Sequence, residues 1–378
     1  MIAIQAPQTY LNRDGVIRSV GDYAAPYAST ILIITSPQAW KTTADAVERN
    51  LNEHGLRYQV EFLPGDCTKP AIEALTAQAR AFNAELILGI GGGRVLDVAK
   101  VVGDILGQIP VITVPTIAAT CAAWSSFSVI YSDSGVHNGA FALTRLPVWV
   151  LVDSEIIARS PSRYLKAGIV DALAKWYEFQ PYLRHGDSGL ALALKAQAAR
   201  LALALKAQAA RLAVETLNTY GEQAIADNEQ GLVTPALRSA IDAVIALAGL
   251  ANSMKDEVPR IGVAHAIHNS MTHLPELHDW LHGEKVGFGL AVQAFLEHDS
   301  DADREELFAQ LRRYGSPMTL SALGLNERPQ LVESIAQHVK IAPRIAARLP
   351  FATDAERIER ALWRTQTLET GVIDSHAA

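Results

Sequence analysis

Short apolar runs alternate with helical segments through the first 152 residues, and this alternation restricts the fold more than any other feature. Runs rich in β-branched residues predict strands at residues 30–35, 58–63, 85–90, 110–114 and 148–152. Helical patterns between them cover residues 44–54 and 72–82. Strands that alternate with helices form a parallel sheet with helices on both faces. The sequence therefore predicts a Rossmann-like α/β fold that binds ligands at the carboxyl ends of its strands.

Three consecutive glycines follow the predicted strand at 85–90, and a helical pattern follows them. Backbone N–H groups at a helix N-terminus favour an anion, and glycine lets a pyrophosphate approach the backbone closely. We expect the pyrophosphate of a nucleotide to lie on Gly92, Gly93 and the amides that follow, including that of Val95. The spacing differs from G-x-G-x-x-G, so a plain structural turn remains an alternative.

Two charged residues beside this turn have both a functional and a structural interpretation. Arg94 is positioned to make a charge-assisted contact with a phosphate, although a solvated arginine would fit the same position. Asp97 lies one turn into the helix, where it could orient a ribose or an amide group. A carboxylate in the first turn is also favoured simply by the helix dipole.

The pattern changes at about Ser160, where strand-like runs give way to Ala/Leu-rich helical segments. We predict an α/β domain at 1–160 that binds the dinucleotide at its glycine turn, an all-helical domain at 161–378 and an active site in the cleft between them. The segment LALALKAQAAR at 190–200 is repeated at 201–211. Eleven residues make about three helical turns, so the repeat would lengthen one helix by about 16 Å with its faces in phase. One interpretation is a duplication that a tolerant helix accommodates, and the alternative is a new oligomer contact.

Charge and cysteine content exclude several classes of partner. The chain has 33 Lys and Arg against 40 Asp and Glu, a net charge of −7, which argues against nucleic acid or an anionic membrane. Its two cysteines form no C-x-x-C pair, which favours a reducing cytoplasm. We see neither a signal-peptide pattern nor a run of about 20 apolar residues. A cytoplasmic homo-oligomer that binds a small molecule is therefore expected.

Histidines are concentrated in one segment, 262–285, which holds five of the eleven in the chain. His265 and His268 share a helical face, and His282 precedes a glycine. Asp171 lies among helix-forming apolar residues upstream. One carboxylate and two imidazoles with an open coordination position suit a catalytic divalent metal such as Zn²⁺. The alternatives are ordinary core or surface histidines, and an Asp171 that caps a helix or pairs with Lys175.

Five segments, in order along the chain, resemble the iron-containing alcohol dehydrogenase superfamily, in its glycerol dehydrogenase-like branch. They are the glycine turn with Asp97 and Lys100, Val114-Pro-Thr-Ile-Ala-Ala-Thr, Gly168–Glu178, His265-Ala-Ile-His268-Asn and His282-Gly-Glu-Lys285. The resemblance covers nearly the whole chain. It implies the α/β-plus-helical architecture and a nicotinamide cofactor. It also implies one divalent metal held by Asp171, His265 and His282.

Two departures from the family pattern concern the metal and the substrate. Lys175 stands where iron-type members carry a fourth ligand, a histidine, and this favours the three-ligand zinc type. Cys121 stands where glycerol dehydrogenases carry an aspartate that contacts the polyol, and a thiol cannot replace that acceptor. The string AATCAAW at 118–124 resembles bacterial hydroxycarboxylate dehydrogenases, which reduce 2-oxo acids. We therefore expect Cys121 to line a substrate site that favours 2-oxo acids.

Cofactor choice is a third departure. Many relatives end the first Rossmann-like strand with an aspartate that binds the adenosine ribose and repels a 2′-phosphate. Ser36 stands near that position without a charge, so NADP(H) is expected to be accepted alongside NAD(H). The resemblance also places residues along the cofactor, chiefly on its nicotinamide side. These are Thr116, Ala119, Ser125, Phe127 and Tyr131.

The resulting expectation is a metal-dependent NAD(P)(H) oxidoreductase that interconverts small 2-hydroxy and 2-oxo compounds by direct hydride transfer. His268 is the candidate for proton relay, because imidazole titrates near neutral pH; a supporting role behind the metal ligands is equally open. Glycerol dehydrogenase is the alternative activity. The sequence is also compatible with a lyase of the dehydroquinate synthase type, and with a non-catalytic relative that binds metal and nucleotide.

Overall fold

A computed structural model describes residues 3–107, 109–184, 190–255 and 262–370. Its strands are β1 (Ala3–Ile4), β2 (Thr9–Asn12), β3 (Thr30–Thr35), β4 (Arg57–Phe62), β5 (Leu86–Gly91), β6 (Val111–Pro115), β7 (Phe127–Tyr131), β8 (His137–Ala142), β9 (Trp149–Val152) and β10 (Met254–Lys255). The helices of the first half are α1 (Val20–Ala24), α2 (Pro37–Glu53), α3 (Lys69–Phe82), α4 (Gly93–Ile105) and α5 (Ser154–Ala158).

The second half is mostly helical. Its helices are α6 (Ser162–Arg184), α7 (Leu190–Glu229), α8 (Pro235–Asp242), α9 (Ala248–Asn252), α10 (Val263–Met271), α11 (His282–Glu297), α12 (Asp301–Arg313), α13 (Pro329–His338), α14 (Pro343–Ala346), α15 (Ala355–Arg364) and α16 (Thr367–Thr370). A π-helical segment, Ala243–Leu247, joins α8 to α9. The short strand β10 interrupts the helices and pairs antiparallel with β1.

Six strands form one parallel sheet in the order β2-β9-β6-β5-β3-β4. Strands β3, β5 and β6 are buried along their whole length, as expected when helices cover both faces of a parallel sheet. Ile31 and Ile33 pack towards α1 and α2, whereas Leu32 and Ile34 pack towards α3 and α4. The predicted α/β architecture is confirmed.

Some strands were not predicted. The four residues of β2 are only partly buried and extend the edge of the sheet beside β9. The hairpin β7–β8 has its own antiparallel pairing, and its residues lack the continuous apolar run of a buried strand, with most positions of β8 exposed. The hairpin reaches the helical half, where the His137 amide donates to Thr272 Oγ1 at 2.9 Å.

The duplicated segment lies at the start of α7, within one uninterrupted helix of 40 residues. The prediction that the repeat lengthens a single helix is therefore confirmed for the backbone. The side chains of residues 184–203 lie outside the described part of the chain, so the alternative of a new oligomer contact stays a prediction. Among the described residues, none of the helices combines the length and apolar character that a membrane span needs.

Helix α6 makes two close backbone contacts that fix its position. A Cβ atom on Gly168 would lie 2.0 Å from the carbonyl oxygen of Ala118, in the loop that follows β6. A Cβ atom on Gly283 would lie 1.9 Å from the carbonyl oxygen of Ala167. The middle of α6 is therefore held between the sheet and the first turn of α11.

Replacing Gly168 by alanine should lower the free energy of unfolding by about 1–3 kcal/mol, because the new methyl group overpacks a rigid backbone contact. Urea unfolding monitored by circular dichroism measures the change. Gly65→Ala is the matched control, because no atom lies within 4 Å of the added Cβ at that position. Equal unfolding midpoints for the two variants would contradict the proposed clamping of α6.

Candidate active site

Three side chains from three helices converge on one point at the cleft. Asp171 comes from α6, His265 from the first turn of α10, and His282 is the first residue of α11. Asp171 Oδ1 lies 3.2 Å from Nε2 of His265 and 3.4 Å from Nε2 of His282. The three ligand atoms all lie within 4.8 Å of one another. In the described part of the chain this is the one such group of His, Cys, Asp or Glu side chains.

Glu178 fixes the orientation and the tautomer of His265. Its Oε1 accepts the backbone N–H of His265 at 2.8 Å, and its Oε2 lies 2.7 Å from Nδ1 of the same residue. An ionised carboxylate can only accept, so Nδ1 carries a proton, and in the neutral ring that a metal ion requires the lone pair is then on Nε2. Carboxylate–histidine pairs of this kind are the usual support of a metal-ligating imidazole.

His282 has an equivalent support. Its Nδ1 lies 3.1 Å from Nε2 of His268, and Nδ1 of His268 lies 3.0 Å from Oδ1 of Asn269. Burial, followed by the nearby His282, holds the pKa of His268 well below its ordinary value, so this ring is neutral. One set of protons fits the chain: His282 donates to His268, and His268 donates to Asn269. The outward Nε2 of His282 then keeps its lone pair.

The donor set therefore fits a divalent metal ion. In its neutral form each imidazole presents a lone pair at Nε2, and the aspartate supplies the charge. Burial alone would raise the pKa of Asp171, but the Lys175 ammonium and the two imidazoles lower it well below its usual range. The carboxylate is thus ionised although Asp171 is only 2% exposed. The sequence prediction of these three residues as ligands is supported by this geometry.

Lys175 lies inside the cluster. Its Nζ is 2.8 Å from Asp171 Oδ1 and 3.2 Å from His265 Nε2. Burial would lower the pKa of Lys175, but the carboxylate of Asp171 raises it, so the side chain is an ammonium. The i,i+4 pairing with Asp171 that the sequence left open is present.

Cys121 lies close to this cluster, in the loop after β6. It is 6% exposed, and its Sγ lies 3.6 Å from the amide nitrogen of Asn252. Burial raises the pKa of its thiol, against a smaller opposing effect of Lys175. Trp124 forms the adjoining wall, donating from Nε1 to Ser253 Oγ at 2.8 Å and lying against Gly249. Cys121 is therefore a neutral, buried thiol rather than a charged group.

The glycine turn forms the other side of the cleft. Helix α4 begins after Gly92, and no side chain caps its first amides, which leaves them available for an anion. A Cβ on Gly92 would lie 3.1 Å from Ile117, and one on Gly93 would lie 3.3 Å from Thr120 and Ala122. The glycines therefore keep a narrow surface open beside the helix end. Val95 is buried behind it.

The two charged residues of the turn face different surroundings. Arg94 is largely exposed and pairs with Asp66 at 2.8 Å. Asp97 is buried, with Oδ1 3.0 Å from the Lys100 ammonium and Oδ2 accepting the Val129 amide at 3.1 Å. Both oxygens of Asp97 are thus used within the protein, and they hold strand β7 against α4. This supports its structural interpretation more than a direct contact with a ribose.

The remaining predicted cofactor residues surround the same cleft. Ser36 follows β3, is partly exposed, and caps α2 by accepting the Ala39 amide at 3.3 Å. The Thr116 amide donates to the Gly91 carbonyl at 3.1 Å, and Ala119 is partly buried in the same loop. These contacts place the loop after β6 beside the glycine turn.

Strand β7 and the residues before it complete that wall. The carbonyl oxygens of Ser125 and Phe127 accept from the Lys100 ammonium at 3.2 and 3.0 Å. Tyr131 is partly buried, with its ring edge-on to His137, and burial raises its pKa to about 12. Lys100 therefore acts as a buried tie between α4 and the strand.

Sequence reasoning gave no role in the site to Glu178 or Asn252, and none to Lys175 beyond its pairing with Asp171. Spacing could have found Glu178 and Lys175, because residues at i, i+4 and i+7 share one face of a helix. Asp171, Lys175 and Glu178 have this spacing on α6. Asn252 stands 131 positions from Cys121 in the sequence, and nothing in its local pattern indicates the contact.

Two further histidines of the segment 262–285 lie apart from the cluster. The ring of His273 lies against that of His338, with 4.7 Å between the ring centroids. Nε2 of His278 lies 3.2 Å from the backbone carbonyl oxygen of Thr272. The interpretation as ordinary histidines therefore fits these two.

Comparison with known proteins identifies the same family. The family model for iron-containing alcohol dehydrogenase matches residues 7–154. A glycerol dehydrogenase of Pseudomonas putida is 34% identical over 361 residues, which are 95% of this chain and 96% of that protein. Hydroxycarboxylate dehydrogenase A of Escherichia coli is 35% identical over 280 residues, 73% of each chain.

A solved structure extends the similarity to the whole fold. The crystal structure of a probable glycerol dehydrogenase from Sinorhizobium meliloti superimposes with a TM-score of 0.84 at 27% identity, covering 98% of this chain and 99% of that one. The chain therefore belongs to the iron-containing alcohol dehydrogenase family, in its glycerol dehydrogenase-like branch, and is an NAD(P)-dependent dehydrogenase that acts on CH–OH groups.

Proposed function

We propose that this protein is a zinc-dependent NAD(P)(H) oxidoreductase that interconverts small 2-oxo acids and 2-hydroxy acids. The reaction takes a 2-oxo acid, NAD(P)H and a proton to the 2-hydroxy acid and NAD(P)⁺. The observation that carries the proposal is the juxtaposition of the Asp171–His265–His282 cluster with a buried, uncharged thiol, Cys121. Because position 121 carries a thiol and not a carboxylate, it does not repel the carboxylate of the substrate.

A metal ion bound here would supply the polarisation of the substrate carbonyl, and a bound nicotinamide would supply or accept the hydride. Asp171, His265 and His282 would hold the ion, with Glu178 and His268 keeping both imidazoles in the binding tautomer. The contacts of His268 support a positioning role, because it reaches the site only through the ring of His282. Its part in proton relay stays a prediction.

The nucleotide would lie across the carboxyl ends of the parallel strands. Amides that follow Gly92 would bind the pyrophosphate, and Arg94 at the rim would add a charge. The loop at Thr116 and Ala119, together with strand β7, would enclose the nicotinamide. An uncharged Ser36 at the end of β3 leaves room for the 2′-phosphate of NADP(H) as well as for NAD(H).

Glycerol dehydrogenase is the second candidate, favoured by one observation. The Pseudomonas putida glycerol dehydrogenase matches 95% of this chain, whereas hydroxycarboxylate dehydrogenase A matches 73%. Both activities need the same metal cluster and the same cofactor cleft. The contacts around Cys121 are what distinguish them.

Alanine at Asp171, His265 or His282 should each lower bound zinc and kcat/KM by at least about a hundredfold, since loss of a supporting residue alone costs roughly ten- to a hundredfold. Zinc content by mass spectrometry and initial rates give the readouts. His273→Ala is the control, because His273 lies against His338 away from the cluster. Near-normal zinc content in any ligand variant would remove that residue from the site.

Substrate preference follows from a direct comparison on the zinc-loaded protein. We expect kcat/KM for pyruvate to exceed that for dihydroxyacetone by about tenfold or more, about 1.4 kcal/mol of differential transition-state binding. Nicotinamide absorbance, with NADPH and with NADH, measures both rates. Turnover of dihydroxyacetone alone would establish the glycerol dehydrogenase alternative instead.

Ser36→Asp should raise the KM for NADPH about tenfold relative to that for NADH, because like charges then meet at the 2′-phosphate. Aspartate is as good a helix cap as serine, so α2 is preserved. Ser36→Asn keeps the cap without the charge and serves as the control. If both variants change the ratio of the KM values equally, the charge at position 36 does not determine the discrimination between NADPH and NADH.

A further inference from the structure

Lys175 makes a contact that is incompatible with metal binding. The ammonium lies 3.2 Å from Nε2 of His265, and a metal ion would need the single lone pair of that nitrogen, because Nδ1 carries the proton beside Glu178. A metal ion and an N–H donor cannot share one lone pair. Occupancy of the metal site therefore requires the Lys175 ammonium to leave His265.

Among the described residues, Asp171 is the one remaining acceptor within hydrogen-bond distance of the ammonium once His265 is taken. The ammonium carries three N–H donors, and the acceptors described for it are Asp171 Oδ1 and His265 Nε2. Once His265 is taken, at least two donors lack a protein partner on a side chain that is 8% exposed. Buried donors without acceptors are costly, so the metal-loaded site favours a ligand that brings acceptor oxygens.

A carboxylate beside the reacting carbonyl supplies those oxygens. In a 2-oxo acid the carboxylate is one C–C bond from the carbonyl carbon, so a carbonyl polarised at the Asp171–His265–His282 cluster brings it to the neighbourhood of Lys175. The sign of the charge favours the same ligand, because the ammonium of Lys175 lies next to the cluster and is opposite in charge to the substrate carboxylate.

We propose that Lys175 is a specificity-determining residue with two alternating partners: its ammonium holds Asp171 and His265 in the metal-free protein, and metal loading releases it to bind the substrate carboxylate. The second half of this inference, the binding of the substrate carboxylate by Lys175, rests on the proposed 2-oxo acid activity. The first half concerns the metal alone and is independent of the substrate.

The metal half is tested by Zn²⁺ affinity. Lys175→Met keeps the length of the side chain but removes the competing cation. It should bind Zn²⁺ about ten- to a hundredfold more tightly than the wild type in competition with a fluorescent chelator, the range expected for a lost hydrogen bond to a charged group. Lys166→Met is the matched control, because this lysine of the same helix pairs with Glu229 at the surface. Unchanged or weaker Zn²⁺ binding in Lys175→Met would overturn the displacement.

The substrate half is tested by two readouts on zinc-loaded protein. Hydroxyacetone has the skeleton of pyruvate with a hydroxymethyl group in place of the carboxylate. The ratio of kcat/KM for pyruvate to that for hydroxyacetone should fall about a hundredfold in Lys175→Met, the effect of leaving one buried charge unpaired. Calorimetry with oxamate, a non-reducible analogue of pyruvate, should show a parallel loss of affinity. Lys166→Met should change neither.

The outcomes separate the two proposals. A wild type that prefers pyruvate, with an unchanged ratio and unchanged oxamate binding in Lys175→Met, would overturn the carboxylate role and leave the proposed function intact. A wild type that reduces dihydroxyacetone but not pyruvate would overturn both, and the Zn²⁺ measurement would still decide the displacement. If Lys175→Met fails to fold, Lys175→Gln keeps two N–H donors without the charge and faces the same measurements.

Discussion

The buried carboxylate of Asp171 is the constraint on which the active site depends. An ionised group that is almost inaccessible to water is costly unless positive charge or hydrogen-bond donors surround it. Here an ammonium and two imidazoles approach one of its oxygens, Oδ1. Helices α6, α10 and α11 must therefore meet at this point, and the close contacts of Gly168 and Gly283 allow them to do so.

A second layer of residues holds the imidazoles in place without reaching the centre. Glu178 occupies the space beside Gly262, where a Cβ would lie 1.8 Å from its carboxylate oxygen. His268 and Asn269 perform the same task for His282 on the opposite side. The two supports differ in charge, so the rings they hold differ in basicity. A carboxylate makes His265 the more electron-rich donor, while His282 is backed by a neutral ring.

The sequence predicts well what local pattern determines. The strand at 30–35 and the helix after the glycine turn follow from apolar periodicity and from glycine, and the three candidate ligands follow from family resemblance. The edge strand β2 and the hairpin β7–β8 lack such a pattern, because contacts with residues distant in the chain determine their structure. Asn252 beside Cys121 is another case, since only the packed fold brings the two together. The contact of Lys175 with His265 could be found only from three-dimensional distances. The spacing of Lys175 from Asp171 on α6 was visible in the sequence.

The hairpin β7–β8 has a mechanical consequence. One end is fixed to α4 of the α/β half, where Asp97 accepts the Val129 amide and Lys100 donates to the carbonyl oxygen of Phe127. The other reaches Thr272, directly after α10, the helix that carries His265. Across the molecule, Tyr10 and Asn12 on β2 both donate to Asp242. The two halves of the chain are thus joined by hydrogen bonds at two separate places, which fixes the distance between the glycine turn and the Asp171–His265–His282 cluster more firmly than one connection would.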